Sequence, residues 1–418
     1  MNNKIKAAVA GAVLASASVA NAGITWDAGE WTVDMNGNVN AFAVFADNKD
    51  SGDQISGGMA NTSQGQTNGE SASISTGLLP AWLGFTASTR QNDLDTSVTI
   101  SFQPGMGGNS ALRSGGNTEN RQAFLTFGDK SWGSVKVGKD LGIFGSTAIL
   151  NDMTLLGVGS NGLTQHNGGV SGTTTTLGGI GTGYIYADWK GQIAYTTPNM
   201  NGFQLTAGIT QPWNTRNLSA NSANTTASAT GSDMFAFEAQ ASFSWTGDFA
   251  GKVWAGAFGQ EVQGLQGAGI TGDTSEDATA FEVGASTSIY NINLVAYGYS
   301  GEGVGTTGML SDGFDNTGST RDSDGGYVQA TYVIPTGTKL GVSYGVSKLD
   351  DNTADTNLGA ASNLVKENTR LTVGAYHPLT KHLNLVAEYS KVESEAHANI
   401  NDQETDIFSV GARSEERR

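Results

Sequence analysis

Cysteine is absent from this chain of 418 residues, and it carries only 6 prolines and 4 histidines. Without cysteine there is no disulfide framework and no thiolate chemistry, so stability has to come from hydrogen bonding and packing. Charge is scarce as well: 15% of residues are charged, against roughly 25% in ordinary soluble domains. Basic residues are outnumbered 39 to 22, a net charge of −17, which excludes a nucleic-acid binder and predicts attraction for cations. No segment approaches the run of about 20 apolar residues that a membrane-crossing helix needs. Glycine, in contrast, is abundant at 59 residues, about twice its usual share. Few charges and many glycines suit a sheet protein in an unusual solvent.

Residues 1–22 have the pattern of a cleaved secretory signal, with Lys4 and Lys6 at the start, a short apolar run from Ala7 to Leu14, and Ala20-Asn21-Ala22 as a small-residue cleavage site. Ser16 and Ser18 break the apolar stretch too early for a membrane anchor. The mature chain is expected to span 23–418; losing two lysines and no acids leaves 20 basic against 39 acidic residues, a net charge of −19.

Beyond Gly23 the hydrophobic period is two almost everywhere, interrupted by clusters of Gly, Asn, Asp, Thr and Pro. In one stretch Val98, Ile100 and Phe102 alternate with Thr99, Ser101 and Gln103; in another Phe235, Phe237 and Phe243 alternate with Ala236, Glu238 and Ser242. Sixteen strands are expected near 33–46, 79–90, 94–103, 120–128, 132–139, 190–197, 202–211, 233–245, 251–261, 279–289, 292–300, 326–334, 338–348, 368–377, 383–392 and 404–413. The gaps between them alternate. Tight turns such as Gln91-Asn92-Asp93, Pro198 to Asn201 and Tyr290-Asn291 follow one strand end, and long loops such as 104–119, 140–189 and 301–325 follow the other. A soluble sandwich has no reason to alternate in this way, whereas a bacterial transmembrane barrel keeps short turns on its periplasmic side and long loops outside. The expected fold is therefore all-β: an antiparallel transmembrane β-barrel of about 16 strands. An even count lets the barrel close without an open edge in lipid, and this size leaves a water-filled lumen. Aromatics near strand ends, among them Trp82, Trp132, Trp245, Tyr290 and Tyr332, fit interface girdles.

Three places carry a family resemblance. Residues 121–142, Arg-Gln-Ala-Phe-Leu-Thr-Phe-Gly-Asp-Lys-Ser-Trp-Gly-Ser-Val-Lys-Val-Gly-Lys-Asp-Leu-Gly, resemble the fourth and fifth strands of the Gram-negative outer-membrane general porins. Ile193 to Pro198 followed by Gly202-Phe203 is similar to a hairpin of that family, and Phe408 to Arg413 to its closing strand. The resemblance implies a homotrimer of sixteen-stranded barrels in the outer membrane, in contact with lipid and lipopolysaccharide. It also implies a third loop folded inward to narrow a channel for small hydrophilic solutes and ions. The chain departs from the pattern at its end, where Ser414-Glu415-Glu416-Arg417-Arg418 replaces a terminal aromatic, and in the third loop, which lacks the family's acidic motif.

By the same resemblance Arg121 and Lys139 match basic positions of the pore wall, with Asp140 and Asp152 as acids able to face them across a constriction. Strict alternation conflicts with one of these: Arg121 shares its odd parity with Ala123, Leu125 and Phe127, so both orientations stay open. Tyr184, Tyr186 and Trp189 are candidates for stacking on sugar rings if the channel selects carbohydrates, and equally for girdle residues. Acids in the outer loops, including Asp273, Glu276, Asp277, Asp312, Asp315, Asp322, Asp324, Asp350, Asp351 and Asp355, predict a negative vestibule and a mild cation preference. Asp322 to Gly326 lacks the ligand spacing and closing Glu of a calcium loop. No catalytic residue, metal site or cofactor is expected: the four histidines are scattered, and there is neither a Gly-x-Ser-x-Gly elbow nor a phosphate loop. The alternatives are a sugar-selective channel and, in another class, a secreted adhesin, which would show short repeats along its length.

Overall fold

A computed structural model describes residues 24–49, 55–60, 69–105, 118–161, 175–215, 231–265, 274–353, 355 and 363–416. The expected signal segment lies outside the described residues, as do Asp273 and His166. The strands are β1 (Ile24–Ala28), β2 (Trp31–Lys49), β3 (Gly69–Ser75), β4 (Trp82–Gln91), β5 (Leu94–Pro104), β6 (Thr118–Glu119), β7 (Ala123–Asp129), β8 (Gly133–Leu141), β9 (Trp189–Thr196) and β10 (Phe203–Thr210). They continue as β11 (Ala236–Trp245), β12 (Phe249–Gln263), β13 (Ser275–Ile289), β14 (Ile292–Glu302), β15 (Asp322–Val333), β16 (Lys339–Leu349), β17 (Val365–Pro378), β18 (Leu383–Ala396) and β19 (Gln403–Glu416). All pair antiparallel in sequence order, and β19 closes the ring on β2 from Glu404↔Lys49 to Glu416↔Gly37.

Three positions around the barrel are shared by two strands each. β1 prolongs the position of β19 along β2, β3 and β4 follow one another along the other edge of β2, and β6 and β7 lie end to end along β5. The result is a closed sixteen-position barrel. Every expected strand coincides with one of these positions. β1, β3 and β6 are additions, and β12, β13, β17 and β18 run several residues further into what reads as loop sequence.

Alternation sets the two faces. On β13, Phe281 and Val283 are 67% and 63% exposed, while Ala280 and Glu282 between them are buried. The outward set includes Phe45, Val98, Phe237, Val328, Val373 and Phe408, an apolar surface of the kind lipid requires. The inward set includes many hydroxyls, and neighbouring strands join through them: Thr86 with Thr99 at 3.0 Å, Ser97 with Thr126 at 2.6 Å, Thr196 with Thr206 at 3.0 Å, and Thr372 with Ser390 at 2.7 Å. The tight turns depend on left-handed residues, Asn92 and Asp93 at one hairpin and Tyr290 at another. No described helix is long and apolar enough to cross a membrane.

The packed core lies inside the barrel. Residues 142–161 and 175–188 fold into the lumen, the first of these stretches carrying α1 (Ser146–Asn151) followed by a single 3₁₀ turn, Met153–Leu156. Their Phe144, Ile149, Ile180, Tyr184 and Ile185 pack against Trp254, Phe258, Val295, Tyr297 and Tyr327 of the wall. Other segments join them. Val304, Leu310 and Phe314 of the β14–β15 loop and Leu78 from between β3 and β4 belong to the same cluster. Met59 and Ala60 of the first loop pack on Phe42, Tyr376 and Val392. The family resemblance anticipates one inward loop; the structure folds residues 55–60 of the first loop and the β14–β15 loop inward as well.

Candidate lumen constriction

A loop inside a barrel has no strand ladder to satisfy its backbone N–H groups, so acceptors must come from the wall. Inward side chains supply them, Ser347 Oγ for the Gly183 N–H (2.9 Å) and four longer ones among them. Glu238 Oε2 accepts from the N–H groups of Ile143 (2.6 Å) and Phe144 (2.9 Å), and its Oε1 from Lys190 Nζ (2.6 Å) and Thr210 Oγ1 (2.9 Å). Glu282 accepts from the Gly145 N–H (3.0 Å), Tyr297 OH (3.0 Å) and Gln240 Nε2 (2.9 Å). Gln329 Oε1 takes the Met153 N–H at 2.6 Å. Glu388 Oε2 takes those of Val158 and Gly159, both at 2.8 Å, while its Oε1 accepts from Tyr376 OH at 2.6 Å. These anchors run from β11 round to β18 and hold the loop against that arc of the wall.

Asp152 belongs to the anchorage. It is buried, caps the 3₁₀ turn through the Thr154 N–H (2.9 Å) and Oγ1 (2.8 Å), and accepts from the Gly179 N–H (2.9 Å) and Tyr184 OH (2.8 Å). Arg370 Nη2 approaches it from β17 at 3.8 Å. Tyr184 is completely covered, so its ring cannot stack on a solute. Burial and the Asp152 carboxylate hold its phenol well above the ordinary value, protonated and donating.

The parity conflict at Arg121 is resolved by a bulge. Between the pairs Ile100↔Ala123 and Gln103↔Glu119, β5 contributes two residues and the facing strand three, Asn120, Arg121 and Gln122. Ser101 N–H bonds to Gln122 O at 3.0 Å, and Arg121 N–H to Gln103 Oε1 at 2.8 Å. The extra residue reverses the alternation, and Arg121 turns away from the outward set of Ala123 and Leu125. Its Nε bonds to Glu119 Oε2 at 2.8 Å, and its guanidinium lies 5.8 Å from the centre of the Trp189 ring. Gln122 donates to Asp140 at 2.9 Å; Asp140 also pairs with Lys136, whose Nζ stands 5.0 Å from the Phe124 ring centre.

Lys139 does not share this wall. Asp140 and Lys190 face one another in register, and both are buried on the inner face. Their neighbour Lys139, opposite Ala123 and Gly191, therefore points outward with Val135 and Val137, and it is exposed. This corrects its assignment to the pore wall. Trp82 reverses in the other direction: it alternates with outward Leu83, opposes the buried Asn38, and its ring is 6.0 Å from Trp189. Trp189 and Tyr186 are half-buried, and the Tyr186 N–H bonds to Thr307 O on the β14–β15 loop at 2.8 Å.

The candidates thus separate into two groups. Arg121, Asp140 and Trp189 lie on the β5–β9 wall, with Tyr186 brought against it by the return limb of the loop, whereas Asp152 and Tyr184 lock the loop on the opposite arc. Charge is matched locally, Arg121 with Glu119, Lys136 with Asp140 and Lys190 with Glu238. Sequence reasoning missed Glu119, Lys136, Lys190, Glu238, Glu282 and Glu388. The available signal was an ionisable side chain in the middle of a strand that otherwise reads as membrane-spanning, which is costly without a partner. Asp312, Asp315 and Asp355, read from sequence as vestibule charge, are buried: Asp355 forks onto Arg321 at 2.8 and 2.7 Å, and Asp315 caps a turn through the N–H groups of Thr317 and Ser319. Among the described residues no three His, Asp or Glu side chains converge as metal ligands would.

Comparison with known proteins gives a consistent fold. The outer-membrane channel DcaP of Acinetobacter baumannii is similar over 94% of this chain and 99% of its own, with TM-score 0.64 and 16% identity. OmpT of Vibrio cholerae matches with TM-score 0.56 and 16% identity over 94% of this chain and 100% of its own. OmpF of Salmonella typhi, in a complex with daunomycin, matches with TM-score 0.54 and 15% identity over 93% and 100%. No curated protein matches the chain in sequence. The family profile of the Gram-negative porins covers residues 7–397, so the chain belongs to the Gram-negative porin family and forms a channel-type β-barrel of the outer membrane.

Proposed function

We propose that the protein is exported by a signal of residues 1–22, cleaved before Gly23, and passes small hydrophilic solutes and ions passively, with a mild cation preference, as a homotrimer. One observation carries the reading: a closed barrel with an apolar outer face encloses a wall of paired hydroxyls, as in the Thr86–Thr99 and Ser97–Thr126 contacts. Such a wall replaces part of the hydration of a polar solute, and a lumen of this kind selects by width and local charge without making or breaking a bond. Glu276, Asp277, Asp322, Asp324 and Asp350, exposed at the outer strand ends, supply the field that favours cations. Trimerisation is supported by the short wall from β4 to β10, whose Leu83, Val98, Ile100 and Leu125 offer an apolar outer face to further copies. The OmpT neighbour is itself described in a trimer form. Lipid and lipopolysaccharide headgroups would meet the outward ionic ladder above the apolar band, where Lys49 pairs with Asp406 and Lys391 with Glu404.

The test is single-channel recording of detergent-purified mature protein in planar bilayers under a salt gradient. Stepwise conductance in triplets with a cation-selective reversal potential is expected. A folded, membrane-inserted protein that does not conduct overturns the proposal and returns the structural or adhesin role.

A further inference from the structure

Most aromatics that face the lumen are sealed: Phe144, Tyr184, Trp254 and Tyr327 are at most 3% exposed, covered by the inward loops. Trp82, Tyr186 and Trp189 remain half-open, and they gather around one ion pair, Arg121 with Glu119. Two indoles stand 6.0 Å apart and inclined at 52°, and Arg121 covers part of one of them at 5.8 Å. The Glu119 side chain keeps 30% of its surface exposed while one of its oxygens holds Arg121. Trp189 Nε1 is fully buried against the Tyr186 oxygen, so it is the ring and not the N–H that remains open.

We propose that this cluster is a binding subsite for one ring of a neutral carbohydrate passing through the lumen. The proposal rests on the channel reading and names a solute class for it. A pyranose has an apolar face of C–H groups and a rim of hydroxyls. The open parts of the Trp82, Trp189 and Tyr186 rings match the first, and the free oxygen of Glu119 matches the second as acceptor. Charge balance decides against an ionic solute. Arg121 and Glu119 already neutralise one another at 2.8 Å with Arg121 only 7% exposed, so an ion that captured either would leave the other unpaired away from water. Lys136 and Asp140, next along the wall, cancel in the same way. Neutral hydroxyls add hydrogen bonds and break neither pair.

The experiment is titration of maltotriose into planar bilayers holding wild type and the Trp82→Ala, Trp189→Ala and Trp189→Phe variants, each first shown to be folded by heat-modifiable mobility. Saturable interruption of the wild-type current is expected. The half-blocking concentration should rise about tenfold in each alanine variant, equivalent to about 1.4 kcal/mol, and stay within about threefold in Trp189→Phe. Quenching or shifting of tryptophan fluorescence in wild type by maltotriose, saturating over the same concentration range, gives a second readout that needs no variant. A conducting wild type that maltotriose does not block, or alanine variants blocked as well as wild type, overturns the subsite while the channel reading stands. Block by benzoate at lower concentrations than by maltotriose overturns the choice of a neutral ring. A folded wild type that conducts nothing sinks the channel reading and the subsite together.

Discussion

Glu388 offers a direct test of how the third loop is held. Its carboxyl receives the N–H groups of Val158 and Gly159 at 2.8 Å each and the Tyr376 hydroxyl at 2.6 Å. In Glu388→Ala all three donors lose their acceptor. An unsatisfied buried donor costs roughly 1–3 kcal/mol; only the Val158 and Gly159 donors belong to the loop, Tyr376 being part of the wall, and because water can enter a lumen the low end applies, giving about 2 kcal/mol of lost docking energy. At about 1.4 kcal/mol per tenfold, the population with segment 157–159 undocked rises about thirtyfold. The barrel itself should hardly notice, since the backbone pairs Gly374↔Glu388 and Glu388↔Ser409 do not use the side chain. Single-channel recording should therefore show added flicker and a larger mean conductance at an unchanged thermal unfolding midpoint, with faster limited proteolysis confined to the loop. Gly157→Ala attacks the same contact from the other side, because a Cβ there would collide with Glu388 Oε1. Current traces from Glu388→Ala that match wild type in noise and amplitude would refute the idea that wall carboxyls set the position of the loop.

Other outcomes follow from the two faces of the wall. Val283→Arg places a charge on the outward face at a position 63% exposed, and unfolding from lipid vesicles should show a loss of about 2–4 kcal/mol if the site lies near the bilayer midplane. Lys139→Ala should leave the reversal potential unchanged, because the side chain points away from the lumen. Glu276→Gln should lower cation preference, with the difference shrinking as salt is raised, since this acid is exposed at the outer end of β13 and shares the inward parity of Ala278 and Ala280. Asp355→Ala leaves Arg321 without its buried carboxylate, an effect of about 3 kcal/mol, to be read as early proteolysis in the loop that follows β14.

Sixteen strand positions were legible because lipid imposes a period of two over each crossing, and because a polar turn must end every crossing. Tight turns such as Asn92-Asp93 and long loops then alternate along the chain in a way that one dimension records. β1, β3 and β6 escaped for the converse reason: each is short, and Gly69–Ser75 reads as the loop composition around it. The site was less legible. A single extra residue among Asn120, Arg121 and Gln122 decides where Arg121 points, and bulges leave no reliable mark in a sequence. Simple alternation from Asp140 sends Lys139 outward, but the face of Asp140 is known only once Lys190 is seen beside it. Asp152 looked like an acid free to line a pore and is instead consumed by Thr154, Gly179 and Tyr184. The anchors of the loop are more remote still, with Val158 and Glu388 separated by 230 residues. Local pattern therefore determined the barrel, since each strand answers to the same solvent; tertiary structure alone decided the lumen, where each backbone donor takes whichever acceptor closure of the ring brings within reach.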